Sequence, residues 1–214
     1  MKNYRNLMTA VALAAFLPLA GCANALKSDL PAPTVYTLHA SAQDGEAKAQ
    51  PHKAKVLSIA EPAMPAGFDS NRIALYLDGG RRMDYYANAV WADVLSKVMQ
   101  DVLLQSAADH TAFAAVPTDA GTMVSHRLLV KVLDFEPVYS GEAKDVPMLK
   151  VSINFRLVSV SNDKIILDTT VPLAEKATAN TQTAIVTGLE SLLQKSVDAA
   201  YDDVSARLAQ HKKK

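Results

Sequence analysis

Hydrophobic and polar positions alternate most regularly in the second half of the chain. Over residues 149–157, apolar side chains occupy every odd position, and Lys, Ser, Asn and Arg occupy the positions between them. This pattern is typical of a half-buried β-strand. The Ser-Asn-Asp stretch at 161–163 predicts a tight turn into an antiparallel return strand over 165–171. The same reasoning predicts earlier strands at 35–39, 54–59, 72–77 and 128–132, the last of them ended by Pro137.

Two segments carry the apolar spacing of amphipathic helices. The first covers about residues 88–107, repeats valine at every fourth position, and includes Trp91, which we expect in the core. The second covers about residues 181–209. Long strands with polar outer faces indicate a sheet that is covered on one side only. We therefore expect an α+β fold, a two-layer sandwich whose mostly antiparallel sheet is covered on one face by two long amphipathic helices.

The N-terminal residues have the layout of a bacterial lipoprotein signal. Lys2 and Arg5 give a positive start, an apolar run follows over residues 8–19, and small residues precede Cys22. A cysteine thiol can accept a diacylglyceryl group as a thioether, and the small residues let a signal peptidase reach the bond before it. The apolar run is shorter than the span of about 20 residues that a membrane helix needs. A membrane helix or a plain signal peptide with an incidental cysteine is therefore the weaker alternative.

Composition limits the domain count and the classes of partner. The signal holds two of the 22 basic residues and none of the 22 acidic ones, so the remainder is slightly acidic. That balance gives no electrostatic reason to expect nucleic acid binding. With the single cysteine acylated, we expect no internal disulfide and no cysteine-based metal site. We predict a signal peptide at 1–21, a lipidated tether at 22–33, one domain at 34–210 and a basic disordered tail at 211–214.

No catalytic motif is evident in the sequence, such as a nucleophile elbow, a metalloprotease helix or a phosphate loop. Asp134 and Glu136 lie two residues apart and should point the same way, but a strand end that meets water explains them better than acid–base chemistry. We therefore expect no cofactor, no metal and no enzymatic activity. The histidines fall in different predicted elements without the spacing of metal ligands: His39, His52, His110, His126 and His211.

Residues 81–86 form the candidate partner-binding site. Arg81, Arg82, Tyr85 and Tyr86 combine basic and aromatic side chains just before the first predicted helix. Arginine and tyrosine are enriched at the energetic hot spots of protein interfaces. The alternative is structural: a tyrosine packs the start of the helix against the sheet while the arginines are solvated.

The order of these features resembles the ABC-type transport auxiliary lipoproteins, the family that includes PqiC. The resemblance rests on the lipoprotein signal, a short tether, strands at 35–38 and 72–76, and a Tyr85-Tyr86 pair followed by Trp91-Ala92-Asp93. The family often has an arginine just before the tryptophan, where this chain has Val90. No role is carried over for that arginine.

The resemblance implies a non-enzymatic part of an intermembrane lipid transport system. Its partners would be a protein with mammalian-cell-entry (MCE) domains, an ABC permease and an ATPase. Acylated Cys22 would hold the domain on the membrane, and Ala23 favours the periplasmic face of the outer membrane in a Gram-negative bacterium. MCE proteins form rings, so a matching homo-oligomeric ring is an open possibility. The alternatives are an activator or assembly factor for cell-wall or outer-membrane machinery, and a lipid carrier with its own apolar pocket.

Replacement of Cys22 by alanine should abolish membrane anchoring while the domain stays folded. Two or more acyl chains make a stable anchor, whereas an unacylated chain has none. Fractionation of envelopes should place the Cys22→Ala protein in the soluble fraction and the wild type with membranes. A Cys22→Ala protein that still fractionates with the outer membrane would contradict the lipid anchor.

Overall fold

The structure is a computed structural model that describes residues 31–40, 55–108, 113–121 and 123–211. The chain divides into residues 1–32 and a larger unit of residues 33–214, and every element named below belongs to the larger unit. The predicted signal peptide and Cys22 lie outside the described residues, as do His52 and His110. In the described ranges, no helix combines the length and the apolar character needed to cross a membrane.

Strands account for most of the elements in the larger unit. Each predicted strand is found, with somewhat different bounds. The elements in chain order are β1 Thr34–Tyr36, β2 Lys55–Ile59, β3 Arg72–Leu77, β4 Arg82–Trp91, α1 Leu95–Ala108, β5 Phe113–Pro117, β6 His126–Val138, β7 Met148–Ser159, β8 Ile165–Lys176 and α2 Gln182–His211.

The long strand β6 organises the sheet because it pairs along both of its edges. On one edge it pairs with β7 from His126 to Val138, and β7 pairs in turn with β8. On the other edge, the start of β6 pairs with β2 and its last residue pairs with Tyr76 of β3. Strand β5 extends the sheet beyond β2, whereas β4 and then β1 extend it beyond β3. Strand β6 therefore joins three parts of the sheet: β2 with β5, β3 with β4 and β1, and the hairpin of β7 and β8.

The expectation of a mostly antiparallel sheet covered by two long amphipathic helices is wrong. Among the described residues the sheet is mixed, because β1–β4, β2–β5, β2–β6 and β3–β6 are parallel pairs. Alternation along a strand indicates which side chains are buried, but it carries no information on which strand lies alongside. Only α2 is long, with 30 residues, whereas α1 has 14. Helix α2 packs against β7 and β8, and α1 packs against β5.

The predicted first helix at 88–107 merges the end of a strand with the start of a helix. Residues up to Trp91 belong to β4, where Val90 pairs with both Val35 of β1 and Arg72 of β3. Helix α1 begins only at Leu95, whose N–H donates to the carbonyl of Ser70 at 3.1 Å. β-branched and aromatic residues favour strands, and the four-residue valine spacing continues by chance across the boundary.

Pro137 does not end β6 as predicted, since the strand continues to Val138. Alternate N–H groups along a strand point to the same edge, and the N–H of Tyr139 donates to Tyr76 of β3 at 2.8 Å. The nitrogen of Pro137 therefore also faces the β3 side, at a point where pairing with β3 has not yet begun. A proline is tolerated in a strand where no ladder hydrogen bond is lost.

The main core lies between the sheet and the two helices. Trp91 is buried, as predicted, with its ring centroid 6.2 Å from that of Phe135. Tyr201 of α2 packs edge-on against Phe113 and donates its hydroxyl to the carbonyl of Leu103 at 2.6 Å. Burial of this hydroxyl raises the pKa of Tyr201, which therefore stays neutral. The predicted apolar side of the last helix is confirmed as buried: Ile185, Leu189, Leu192, Leu193, Ala200, Val204 and Leu208.

The segment around β1 is fixed to both the sheet and α2. The carbonyl of Tyr36 accepts a hydrogen bond from the N–H of Ala92 at 2.7 Å. Its hydroxyl lies 3.3 Å from Thr183 Oγ1, and the N–H of His39 donates to Glu190 Oε2 at 3.0 Å. The start of the larger unit is thus held to both the sheet and α2 by these contacts.

Replacing Gly188 by alanine should destabilise the domain. A Cβ atom at this position of α2 would lie well inside van der Waals contact with Leu149 Cδ1 of β7. Overpacking of this kind typically costs about 1–3 kcal/mol. We expect the upper part of this range at so close a contact, which exceeds the gain of about 1 kcal/mol in helix propensity. Gly141→Ala is the matched control because a Cβ there would meet no atom. Urea unfolding should show a lower midpoint for Gly188→Ala alone, and equal midpoints would contradict this packing.

Candidate functional site

The candidate residues lie on the hairpin formed by β3 and β4. The connecting turn holds Asp78, Gly79 and Gly80 at φ values of 54°, 67° and 95°, a left-handed region that favours glycine. The N–H of Gly79 donates to the carbonyl of Tyr139 at 2.8 Å, and that of Asp78 donates to Gly141 at 3.1 Å. The hairpin tip is therefore joined to the end of β6.

Arg81 and Arg82 occupy the tip of this hairpin, and both are exposed. Arg82 forms ion pairs with Asp78 at 3.2 Å and with Glu142 at 2.5 Å. Its side chain is 50% exposed, and solvent-exposed pairs of this type contribute little to stability. Arg81 has no ion-pair partner among the described residues. The tip thus presents one paired and one unpaired guanidinium to solvent.

Tyr86 starts a chain of hydrogen bonds that ends beside α2. Its hydroxyl lies 2.7 Å from that of Tyr139, which donates to Asn180 Oδ1 at 2.8 Å. Because the Tyr139 hydroxyl has one proton, Tyr86 must be the donor to Tyr139. Asn180 in turn donates to the carbonyl of Ala143 at 3.2 Å. Burial raises the pKa of both tyrosines, so each stays neutral.

Tyr85 makes its contacts on the opposite face of β4. Its hydroxyl donates to the carbonyl of Gly67 at 3.0 Å, and the guanidinium of Arg72 lies 3.6 Å from the centre of its ring. This distance is typical of a cation–π interaction. The structure therefore brings Arg81 and Arg82 together at the tip and separates Tyr85 from Tyr86. The tyrosines hold the hairpin from its two faces.

A β-bulge in β6 creates a buried acidic position that the sequence did not reveal. The register with β7 shifts between Val132 and Asp134, so Leu133 has no partner. Asp134 and Glu136 share a face, as predicted, but the expectation of a strand end in water is wrong. Glu136 is only 4% exposed, and the N–H of Phe135 donates to its carboxyl at 2.5 Å.

The surroundings of Glu136 favour its neutral form. Burial raises its pKa to about 7, and the nearby Asp134 carboxylate adds to the effect. The Phe135 N–H and Lys150, its partner across the ladder on β7, oppose the shift. Tyr76 of β3 lies close enough that the charge of Glu136 helps to raise the pKa of its phenol. The two-residue spacing predicted that the two carboxylates share a face of β6. It did not indicate that the Glu136 carboxyl is buried.

The described histidines do not come together in one place. His39 follows β1, and His126 opens β6 with its Nδ1 atom 2.9 Å from Ser125 Oγ. In the described part of the chain, no three His, Cys, Asp or Glu side chains are grouped so that they could hold a metal ion. The backbone of His211 ends α2.

Comparison with protein families gives the site its context. The model of the ABC-type transport auxiliary lipoprotein component matches residues 36–200, which is most of the sequence. The chain belongs to the ABC-type transport auxiliary lipoprotein family. The resemblance inferred from the lipoprotein signal and the Tyr-Tyr and Trp-Ala-Asp motifs is thus confirmed. No curated protein matches the auxiliary lipoprotein.

Solved structures share the fold of the auxiliary lipoprotein at low sequence identity. A Xanthomonas campestris protein of family model DUF330 is 20% identical with a TM-score of 0.71, covering 85% of this chain and 100% of its own. A second, uncharacterised protein is 15% identical with a TM-score of 0.61, covering 81% and 99%. A hypothetical protein from Chlamydia trachomatis is 6% identical with a TM-score of 0.50, covering 73% and 98%.

The burial of Glu136 should make the auxiliary lipoprotein less stable as pH rises. The folded state holds the proton up to a pH of about 7, whereas the ordinary pKa is 4.5. Between these values the unfolded chain binds fewer protons, so the free energy of unfolding falls with rising pH and levels off above 7. Glu136→Gln should remove this slope and stabilise the protein by about 3 kcal/mol at pH 8.

Chemical unfolding from pH 4.5 to 8 measures this effect. Asp203→Asn, on an exposed position of α2, is the matched control and should follow the wild-type curve. If the free energy of unfolding of Glu136→Gln falls with pH as steeply as that of the wild type, ionisation of Glu136 does not cause the loss of stability.

Proposed function

We propose that the auxiliary lipoprotein is a non-catalytic, membrane-anchored component of an ABC/MCE-type system that moves phospholipid or another hydrophobic compound between membranes. The observation that carries the proposal is the family match over residues 36–200, which includes all of strands β2 to β8 and the last residue of β1. The lipoprotein signal before Cys22 agrees with it. In this proposal ATP is hydrolysed by the partner ATPase, and the lipoprotein holds the outer end of the system.

The proposed location is the periplasmic face of the outer membrane. Ala23 stands after Cys22, where an aspartate would favour retention in the inner membrane by the enterobacterial sorting rule. Two or more acyl chains on Cys22 would make this attachment stable.

The proposed docking surface is the tip of the β3–β4 hairpin. Arg81 and Arg82 would contact the partner, whereas Tyr85 and Tyr86 would fix the hairpin from its two faces. A surface that is already rigid loses less conformational entropy on binding. Arg82 is already paired with Asp78 and Glu142, so the guanidinium of Arg81 is the group that would bind a carboxylate of the partner.

Affinity purification of the tagged full-length lipoprotein from solubilised envelopes tests the transport proposal. We expect an MCE-domain protein among the co-purified proteins identified by mass spectrometry. Recovery of cell-wall synthases or outer-membrane assembly factors in its place would favour the activator alternative. Recovery of phospholipid without any protein partner would favour a carrier.

Arg81→Glu should weaken partner capture about tenfold, because loss of a charge-assisted contact of about 1.5 kcal/mol has that effect. Arg81 is the sharper target because Arg82 also holds the turn together through Asp78 and Glu142. Arg207→Glu makes the same charge change on an exposed position of α2 and should leave capture unchanged. Equal capture by both variants in quantitative pull-downs would exclude the hairpin tip as the docking surface.

A further inference from the structure

A cleft of about 420 Å³ lies at the end of the sheet where β6 begins, β7 ends and β8 starts. Its volume falls in the range of about 300–1,000 Å³ that small-molecule sites occupy. The walls come from the segment before β6 and from the turn that connects β7 to β8. The cleft is therefore far along the sheet from the β3–β4 hairpin, which joins the opposite end of β6.

The wall formed by the β7–β8 turn offers hydrogen-bond donors and a positive charge. Ser161, Asn162 and Lys164 line the cleft there. Within the described residues Lys164 has no carboxylate at ion-pair distance, and none of the residues lining the cleft is acidic. Ammonium, hydroxyl and amide groups together are the donors that bind phosphate oxygens. The β7–β8 turn is therefore suited to an anionic phosphate.

Apolar side chains also line the cleft and continue onto the surface. Val124 comes from the wall before β6, and Val160 and Ile166 come from the β7–β8 wall. Val160 is 39% exposed, and the neighbouring residues Met123 and Ile165 are 94% and 57% exposed. Large exposed apolar side chains that adjoin a cleft mark surfaces which bind apolar groups. These exposed and cleft-lining apolar side chains form the apolar rim of the cleft. A cleft with phosphate donors and an apolar rim suits an amphiphilic molecule.

Backbone hydrogen bonds hold both sides of the cleft in place. The N–H of Val160 donates to the carbonyl of Ser125 at 3.1 Å, and that of Ser159 donates to Lys164 at 2.9 Å. The turn is closed by Asn162 Oδ1, which accepts from the N–H of Lys164 at 3.1 Å, while Asp163 takes a left-handed φ of 52°. The cleft is thus formed before any ligand arrives.

We propose that this cleft binds the phosphate headgroup of a phospholipid, with Lys164 and the turn donors on the phosphate and the apolar rim on the first methylenes of the acyl chains. The choice of a lipid over free phosphate rests on the proposed transport function and on the exposed apolar rim. The volume accommodates a headgroup and its glycerol but not two acyl chains. The lipid would therefore be held by its head while its chains remain in a membrane or on a partner.

Photo-crosslinking in vesicles tests this site on the acylated full-length protein. The vesicles contain phosphatidylethanolamine and phosphatidylglycerol with a trace of phosphatidylglycerol that carries a diazirine close to its glycerol. Mass spectrometry should locate crosslinks in residues 123–126 and 159–166. Lys164→Glu should reduce them about tenfold, as expected for loss of a charged hydrogen bond. Lys144→Glu, on an exposed loop at the other end of β7, should leave them unchanged.

Two further arms separate the possible ligands. If a diacylglycerol probe, which has no phosphate, crosslinks as well as the phosphatidylglycerol probe does, then Lys164 does not bind the phosphate. Displacement of the lipid probe by millimolar inorganic phosphate would show a free-phosphate site and overturn the lipid proposal. Crosslinks that are scattered over the protein and unchanged in Lys164→Glu would also overturn the lipid proposal. So would a result in which the wild type gives no lipid crosslink and Lys164→Glu fails to capture a protein partner that the wild type captures.

The crosslinking experiment and the affinity purification test the lipid site and the transport role separately. If crosslinking fails while an MCE-domain protein is still captured, the transport role stands and the cleft is not a lipid site. If crosslinking succeeds while no transport partner is captured, the lipid site stands and the transport role does not.

Discussion

The double pairing of β6 is the constraint on which the rest of the structure depends. A strand that pairs with β7 along its whole length, and with β2 and β3 at its two ends, has no freedom to slip. A slip by one residue would move every buried side chain of β6 to the outer face. The register therefore fixes the core contacts of Phe135 and the position of Tyr139 under the hairpin at the same time.

The bulge at Leu133 changes which residues of β6 are buried along its length. Before the bulge, the buried residues of β6 are the even-numbered ones, whereas after it the three successive residues 135–137 are all buried. The change places Phe135 against Trp91 and puts Tyr139 where it can accept from Tyr86. It also puts the carboxyl of Glu136 in a buried position. One inserted residue thus determines both the hydrogen bond that attaches the hairpin to β6 and the burial of the Glu136 carboxyl.

Local features of the fold could be predicted from the sequence, whereas pairings between distant segments could not. The alternation over 149–157 and the Ser-Asn-Asp turn predicted β7, β8 and their antiparallel pairing, because a hairpin is determined by neighbours in the chain. The parallel pairs of β2 and β3 with β6 join segments separated by dozens of residues, and nothing local records them. The helix at 88–107 was misplaced because periodicity ignores the hydrogen bond between Leu95 and Ser70 that starts α1.

The candidate site shows the same division. The residue types at 81–86 could be recognised from the sequence, but their separation onto two faces required β4 to be a strand and not the approach to a helix. Tyr139, Asn180 and Arg72 were missed because each becomes a partner only through tertiary structure. The cleft at Lys164 was missed for the same reason, since its two walls are more than thirty residues apart in the chain.

The length of β6 also sets a distance. Its 13 residues, at about 3.3 Å each, separate the hairpin end from the cleft end by up to about 40 Å. That is more than the hydrocarbon thickness of a bilayer, about 30 Å. A ligand in the cleft and a contact at the hairpin tip would lie at opposite ends of β6, so the two surfaces do not overlap. The strand acts as a rigid spacer between two surfaces that can be occupied at the same time.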